Sequence, residues 1–144
     1  MEEEFNPEIN RCVISFGEDN VVRNATNDIK SRCNISYNAT TNHNLLKKLE
    51  GDLYIVCHYS FIGDEAYKKE EFARYLLQYK KHNWTIYLVS CYGANEPGDM
   101  EIETTSGKIL KDILGSIVFC CNDIVKVING KVIIEQSKWI KISN

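Results

Sequence analysis

The sequence has few residues that break or loosen a chain, and it lacks long apolar stretches. Only two prolines and eight glycines occur in 144 residues, which leaves no room for a flexible linker and predicts a single domain over residues 1–144. No run of about 18 apolar residues is present, so we expect no membrane-spanning segment. The net charge of −3 argues against a nucleic-acid-binding surface.

Signals for secretion, metal binding and serine chemistry are also missing. The acidic start of the chain has no apolar core like that of a signal peptide, so we expect a cytoplasmic protein in which residues 1–10 lack fixed structure. The six cysteines include no Cys-x-x-Cys pair, and no His-x-x-x-His occurs, which excludes the common metal-ligand spacings. No Gly-x-Ser-x-Gly elbow is found. We expect reduced cysteines, because four of them lie inside apolar runs: Cys12, Cys57, Cys120 and Cys121.

Apolar runs alternate with helix-period stretches along most of the chain. Five strands are predicted, at residues 12–16, 34–37, 53–57, 85–89 and 116–121. Helices are predicted from Asp19 or Asn20 through Ile29, around Leu45–Leu49 with a stop at Gly51, over 64–81, and over 104–114 with a stop at Gly115. Asn129-Gly130 predicts a C-terminal β-hairpin. The order predicts an α/β fold, with a mainly parallel central sheet and helices on both faces.

Two residues whose side chains could act in catalysis follow neighbouring predicted strands. His58 comes directly after the strand at 53–57, and Cys91 follows the strand at 85–89. A helix-length segment connects these strands, so we expect them to be parallel and adjacent, with both side chains at the carboxyl edge of the sheet. A thiol beside an imidazole supports nucleophilic attack on a carbonyl, because the imidazole accepts the thiol proton.

The residues after Cys91 offer further parts of a catalytic site, whereas the two other histidines do not. Backbone N–H groups at Tyr92 and Gly93 are candidate oxyanion donors, since glycine allows a substrate to approach closely. His43 and His82 lie in polar stretches, where we expect them to be solvated. A histidine and a cysteine at strand ends are, taken alone, more often packing residues than a catalytic pair.

Several segments, in this order, resemble pieces of one protein family. They are the first strand with Gly17–Val22, the run Leu53–His58, the run Ile86–Cys91, the segment Glu103–Leu110 and the segment Asp123–Ile140. Together they resemble the self-processing cysteine protease domains of large bacterial toxins, which belong to the caspase-like (clan CD) peptidases.

The resemblance implies roles for individual residues. Cys91 would be the nucleophile, His58 its base, and Asp19 the acidic residue that orients His58. The implied function is a cysteine endopeptidase-like domain of a bacterial effector or toxin, delivered in that case into the cytosol of a host cell. Its substrate would be a protein or peptide, and the reaction itself would need no cofactor.

The similar toxin domains are activated by inositol hexakisphosphate, which binds a basic cluster on the side of the hairpin. Four lysines fall where part of that cluster would lie: Lys126, Lys131, Lys138 and Lys141. Lysines that alternate along an exposed strand are also common as a solvated edge that prevents aggregation. Arginine, which clamps phosphate with two hydrogen bonds, is absent after Arg74.

The chain departs from the family beside both candidate catalytic residues. Tyr59 follows His58 and Ser90 precedes Cys91, where family members commonly have glycine. Two alternatives therefore remain beside a peptidase: a catalytically inactive caspase-like binding module, and an unrelated α/β regulatory or immunity protein.

Overall fold

The computed structural model describes residues 8–62, 65–90, 106–120, 126–128, 131–133 and 140–142. Its helices are α1 (Asn20–Arg32), a 3-10 helix (His43–Lys48), the single turn α2 (Tyr59–Ile62), α3 (Ala66–Leu77) and α4 (Ser106–Leu114). Its strands are β1 (Ile9–Phe16), β2 (Tyr37–Asn38), β3 (Leu49–Cys57), β4 (Trp84–Val89), β5 (Ile117–Cys120), β6 (Lys126–Ile128), β7 (Lys131–Ile133) and β8 (Ile140–Lys141).

The main sheet has six strands in the order β2-β1-β3-β4-β5-β8. All its pairings are parallel except the last, in which β8 runs antiparallel to β5. The predicted α/β fold with a mainly parallel sheet is confirmed. Strands β6 and β7 form a separate antiparallel pair, which is the hairpin that the sequence predicts around Asn129-Gly130.

Helices cover both faces of this sheet. On one face α1 packs against the sheet through Val22, Ala25 and Ile29. On the other face α3 and α4 contact each other and bury side chains against the central strands. Parallel strands covered on both faces must be apolar almost throughout, and this explains the unbroken apolar run at 53–57.

A side-chain cap at the N-terminus and a left-handed residue at the C-terminus fix the ends of α1. The Asp19 side chain caps the N-terminus by accepting the Val22 N–H at 2.9 Å. At the other end Asn34 adopts a left-handed conformation with φ of 54°, while the Ile35 N–H donates to the Lys30 carbonyl at 2.8 Å. This is a Schellman-type ending. The predicted strand at 34–37 is therefore wrong in its first residues, and β2 is only Tyr37–Asn38.

Gly51 does not stop a helix, as the sequence suggested, but lies inside β3. Its φ is +145°, and a Cβ placed there would lie 2.3 Å from the Asn10 carbonyl oxygen. The register between β1 and β3 shifts at this point, between Ile9 and Arg11. Glycine is required because the irregular β1 backbone approaches β3 too closely for any side chain.

Two further boundaries and one strand differ from the sequence prediction. The helix predicted over 64–81 is α3, which begins at Ala66 and ends at Leu77. β1 begins at Ile9, which is buried. The expectation that residues 1–10 lack fixed structure is therefore wrong for Ile9 and Asn10, because the buried Ile9 side chain fixes the start of the strand. The edge strand β8 was not predicted at all, because its two residues, Ile140 and Lys141, carry no periodic pattern of their own.

Candidate functional site

The carboxyl ends of β1 and β3 meet where the chain changes the face of the sheet that it covers. After β1 the chain passes through α1 on one face, whereas after β3 it passes through α3 on the other. The two strands are direct neighbours. In open parallel sheets this topological switch point leaves a crevice where ligands bind. Asp19 follows β1 and His58 follows β3, so both residues lie at this position.

The side chains of Asp19 and His58 are in direct contact. The His58 Nε2 atom lies 2.7 Å from the Asp19 Oδ2 atom, and about half of each side chain is exposed, at 44% and 51%. A carboxylate can only accept a hydrogen bond, so Nε2 carries the proton and donates it. In the neutral ring Nδ1 is then the nitrogen with the free lone pair, which can accept a proton from a reacting group.

Asp19 holds its place because it makes two different hydrogen bonds. Oδ1 accepts the Val22 N–H at the start of α1, and Oδ2 accepts the His58 ring. The Val22 amide holds the pKa of Asp19 below its ordinary value, and the His58 ring lowers this pKa further. The carboxylate is therefore ionised at neutral pH, with its direction fixed by a helix end. It can orient His58 and stabilise a positive charge on the ring.

The ends of β3 and β4 lie side by side, as the sequence predicted. The two strands are parallel, with Val56 opposite Val89. One residue further along, the Ser90 hydroxyl hydrogen-bonds the Cys57 sulfur, and both residues are buried. The residues that immediately precede His58 and Cys91 are thus tied to each other across the strand ends.

Cys57 is not itself a reactive thiol. Burial raises the pKa of Cys57 to about 12, against a smaller lowering by the Ser90 hydroxyl. Burial likewise raises the pKa of Cys12 to about 11. Both side chains belong to the core cluster on the face that α3 and α4 cover. Their chemistry is that of small apolar residues, as the sequence analysis expected.

The remaining predicted site residues are placed as follows. Cys91, Tyr92 and Gly93 lie outside the described residues, as does Lys138. Lys126 and Lys131 begin the two strands of the hairpin, which contacts α1, whereas Lys141 is exposed on β8 at the edge of the main sheet. The three described lysines therefore belong to two different sheets.

His43 is not simply solvated, so the expectation from its polar neighbours is wrong. Its ring packs at 5.9 Å from the Phe16 ring and at 5.7 Å from the Tyr75 ring, measured between centroids. His43 Nδ1 also hydrogen-bonds the Tyr75 hydroxyl. No local signal could reveal this contact, because the residues come from three elements that are distant in the chain.

Neither the protein-family models nor the curated proteins include a match to this chain. Within the described ranges no helix is long and apolar enough to cross a membrane. The same ranges contain no group of three His, Cys, Asp or Glu side chains that could hold a metal ion. The geometry around His58 is therefore what points to a function.

Proposed function

We propose that this chain is a cysteine endopeptidase-like domain of a bacterial effector or toxin, with Cys91 as the nucleophile and His58 as its base. The observation that carries the proposal is the pair of Asp19 and His58 at the switch point, 2.7 Å apart. This pair stands directly beside the end of β4, the strand from which the chain continues through Ser90 to Cys91. An oriented imidazole next to a cysteine-bearing strand end is what thiolate catalysis requires.

Each residue then has a definite step in the reaction. His58 Nδ1 accepts the Cys91 proton, and the thiolate attacks the carbonyl carbon of the scissile peptide bond. Asp19 stabilises the imidazolium ion that forms, and backbone N–H groups at Tyr92 and Gly93 bind the oxyanion. His58 next gives its proton to the leaving amine. A water molecule, deprotonated by His58, hydrolyses the acyl-enzyme and regenerates the Cys91 thiol.

The contact of Ser90 supports an active site rather than a degenerate one, while the side chain of Tyr59, the other departure from the family, lies outside the described part of the structure. Similar toxin domains have glycine before the nucleophile, and a side chain there could obstruct the substrate. In this chain Ser90 is only 3% exposed, and its hydroxyl bonds the buried sulfur of Cys57. The added hydroxymethyl group is thus accommodated inside the sheet and not in the crevice.

Peptide cleavage by four single variants tests the proposal. The substrate is a fluorogenic peptide pool with mixed residues around the scissile bond. We expect Cys91→Ala and His58→Ala to lower the cleavage rate by about 10²–10⁴-fold or more. The matched controls Cys33→Ala and His82→Ala, which remove the same residue types elsewhere, should retain it. Equal activity in all four variants would assign the cleavage to a contaminant, and inactive wild-type protein would favour the binding module.

A further inference from the structure

We propose that an aromatic groove beside His58 binds an aromatic side chain of the peptide substrate. The inference rests on the proposed function. The groove encloses about 390 Å³, which is the small end of the range for ligand sites. Four rings and one aliphatic side chain line it, with two charged residues at its rim: Phe16, Phe61, Phe72, Tyr75 and Ile62, with Lys68 and Glu71.

The rings form a cluster in which Phe61 and Tyr75 are exposed. Phe61 stacks on Phe16, with centroids 5.2 Å apart and an interplanar angle of 20°. Phe72 meets both rings edge-on, at 5.2 Å and 6.0 Å. Phe72 is buried, yet 51% of Phe61 remains exposed. An exposed ring in a groove of rings offers a further aromatic side chain both stacking and edge contacts, which an aliphatic side chain cannot match.

Two rings of the groove lie close in the chain to the candidate catalytic pair. The Phe61 N–H donates to the His58 carbonyl at 3.0 Å, so this ring belongs to the helical turn that begins at His58. Phe16 ends β1, three residues before Asp19. A side chain next to the scissile bond of a peptide bound at His58 would then enter the groove.

The charges at the rim decide against a charged occupant. Lys68 and Glu71 carry opposite charges on the same helix, and Lys68 also approaches Glu65 at 4.0 Å. The rim therefore offers no excess charge that would attract an acidic or a basic side chain, while the lining is aromatic. The chemistry fits a neutral ring, so the structure assigns phenylalanine or tyrosine to this position of the substrate.

The test is a comparison of alkylation rates at Cys91 with peptidyl acyloxymethyl ketones. The parent probe is a tetra-alanine ketone, and Phe, Leu or Asp replaces each alanine in turn. We expect one position at which the Phe probe reacts about tenfold or more faster than the Ala probe, and also faster than the Leu probe. The ratio of two probe rates cancels the intrinsic reactivity of the Cys91 thiol, so it reports side-chain binding alone.

Two variants locate the preference in the groove. In Phe61→Ala the Phe-to-Ala ratio should fall to about one, whereas Tyr67→Ala should keep it, since Tyr67 is an equally exposed ring outside the groove. A ratio near one in wild type, a Leu preference, or a ratio that survives Phe61→Ala would each overturn the groove assignment. If iodoacetamide labelling of Cys91 depends on His58 in the same protein, the proposed function survives that result. If it does not, both inferences fall.

Discussion

The pH dependence of Cys91 alkylation most directly measures its proposed pairing with His58. Because the pKa of Cys57 is raised to about 12, only about 3 in 10⁶ of the Cys57 thiols are ionised at pH 6.5. A thiol paired with an imidazolium has a pKa of about 6, so about three quarters of Cys91 would be thiolate at that pH. The two thiolate populations differ by about 10⁵-fold.

Rates differ less than populations, because a thiolate of lower pKa is a weaker nucleophile. A Brønsted slope of about 0.4–0.5 over six pKa units removes about 10^2.4 to 10³ of that difference. We therefore expect iodoacetamide to alkylate Cys91 at least about 200 times faster than Cys57 at pH 6.5, since burial also shields the Cys57 sulfur from the reagent. Against an ordinary exposed thiol with a pKa of about 8.5, the same arithmetic leaves an advantage of only about sixfold. The midpoint of the pH profile is thus more decisive than the rate.

The assay is competitive alkylation from pH 5 to 9, with each cysteine quantified by mass spectrometry of its peptide. Cys91 should show a midpoint near pH 6, and in His58→Ala this midpoint should rise to about 8.5. His82→Ala should leave the profile unchanged. A wild-type midpoint at about 8.5 or higher, or an identical profile in His58→Ala, would refute the pairing and with it the catalytic role of His58.

Three more predictions concern the cap, the sheet and the polyanion site. Asp19→Ala should lower the melting temperature by a few degrees, and Asp19→Asn should lower it by less, because asparagine keeps a capping oxygen. Both variants should slow peptide cleavage by about tenfold or more, since neither leaves a carboxylate for His58. The folded pKa of Asp19 is lowered, so its ionic contribution to stability is present above about pH 3.9 and lost as the pH falls below it. The difference in melting temperature between wild type and Asp19→Asn should therefore be smaller at pH 3 than at pH 7. Gly51→Ala should lower the free energy of unfolding in urea by about 2–4 kcal/mol, because its Cβ would lie 2.3 Å from the Asn10 oxygen. Gly115→Ala, where no atom lies within 4 Å of the added Cβ, should lower it by about 1 kcal/mol. Equal losses in the two variants would contradict the close approach at Gly51. If the C-terminal lysines bind inositol hexakisphosphate, millimolar ligand should raise the melting temperature at low salt and have no effect at high salt. A zero shift at low salt would show that these lysines do not form a site for it.

Most of the sheet could be predicted from the sequence, because buried parallel strands are continuous apolar runs. The runs at 53–57 and 85–89 lie inside β3 and β4, and their helix-length connection required the parallel, adjacent pairing that is observed. The start of α1 was predictable for a similar reason, since Asp19 is a strong capping residue placed directly before a helical apolar pattern.

The features that the sequence did not predict depend on contacts between distant segments. The requirement for glycine at position 51 comes from the backbone of Asn10, 41 residues away in the chain. His43 packs against Phe16 and Tyr75 because three elements converge there. No periodicity or local propensity encodes either contact, since each appears only when the strands are in register.

The candidate site divides in the same way. The sequence by itself determined that His58 follows β3 and that Ser90, the residue before Cys91, follows β4, and therefore that these two strands end at one edge of a parallel sheet. Only the tertiary structure decided that Asp19 meets His58 at 2.7 Å, across 38 intervening residues. It did so because β1 and β3 are neighbours although β2 lies between them in the chain. The order of strands in a sheet depends on how all the elements bury their apolar faces together, and the sequence pattern of a single strand does not specify it.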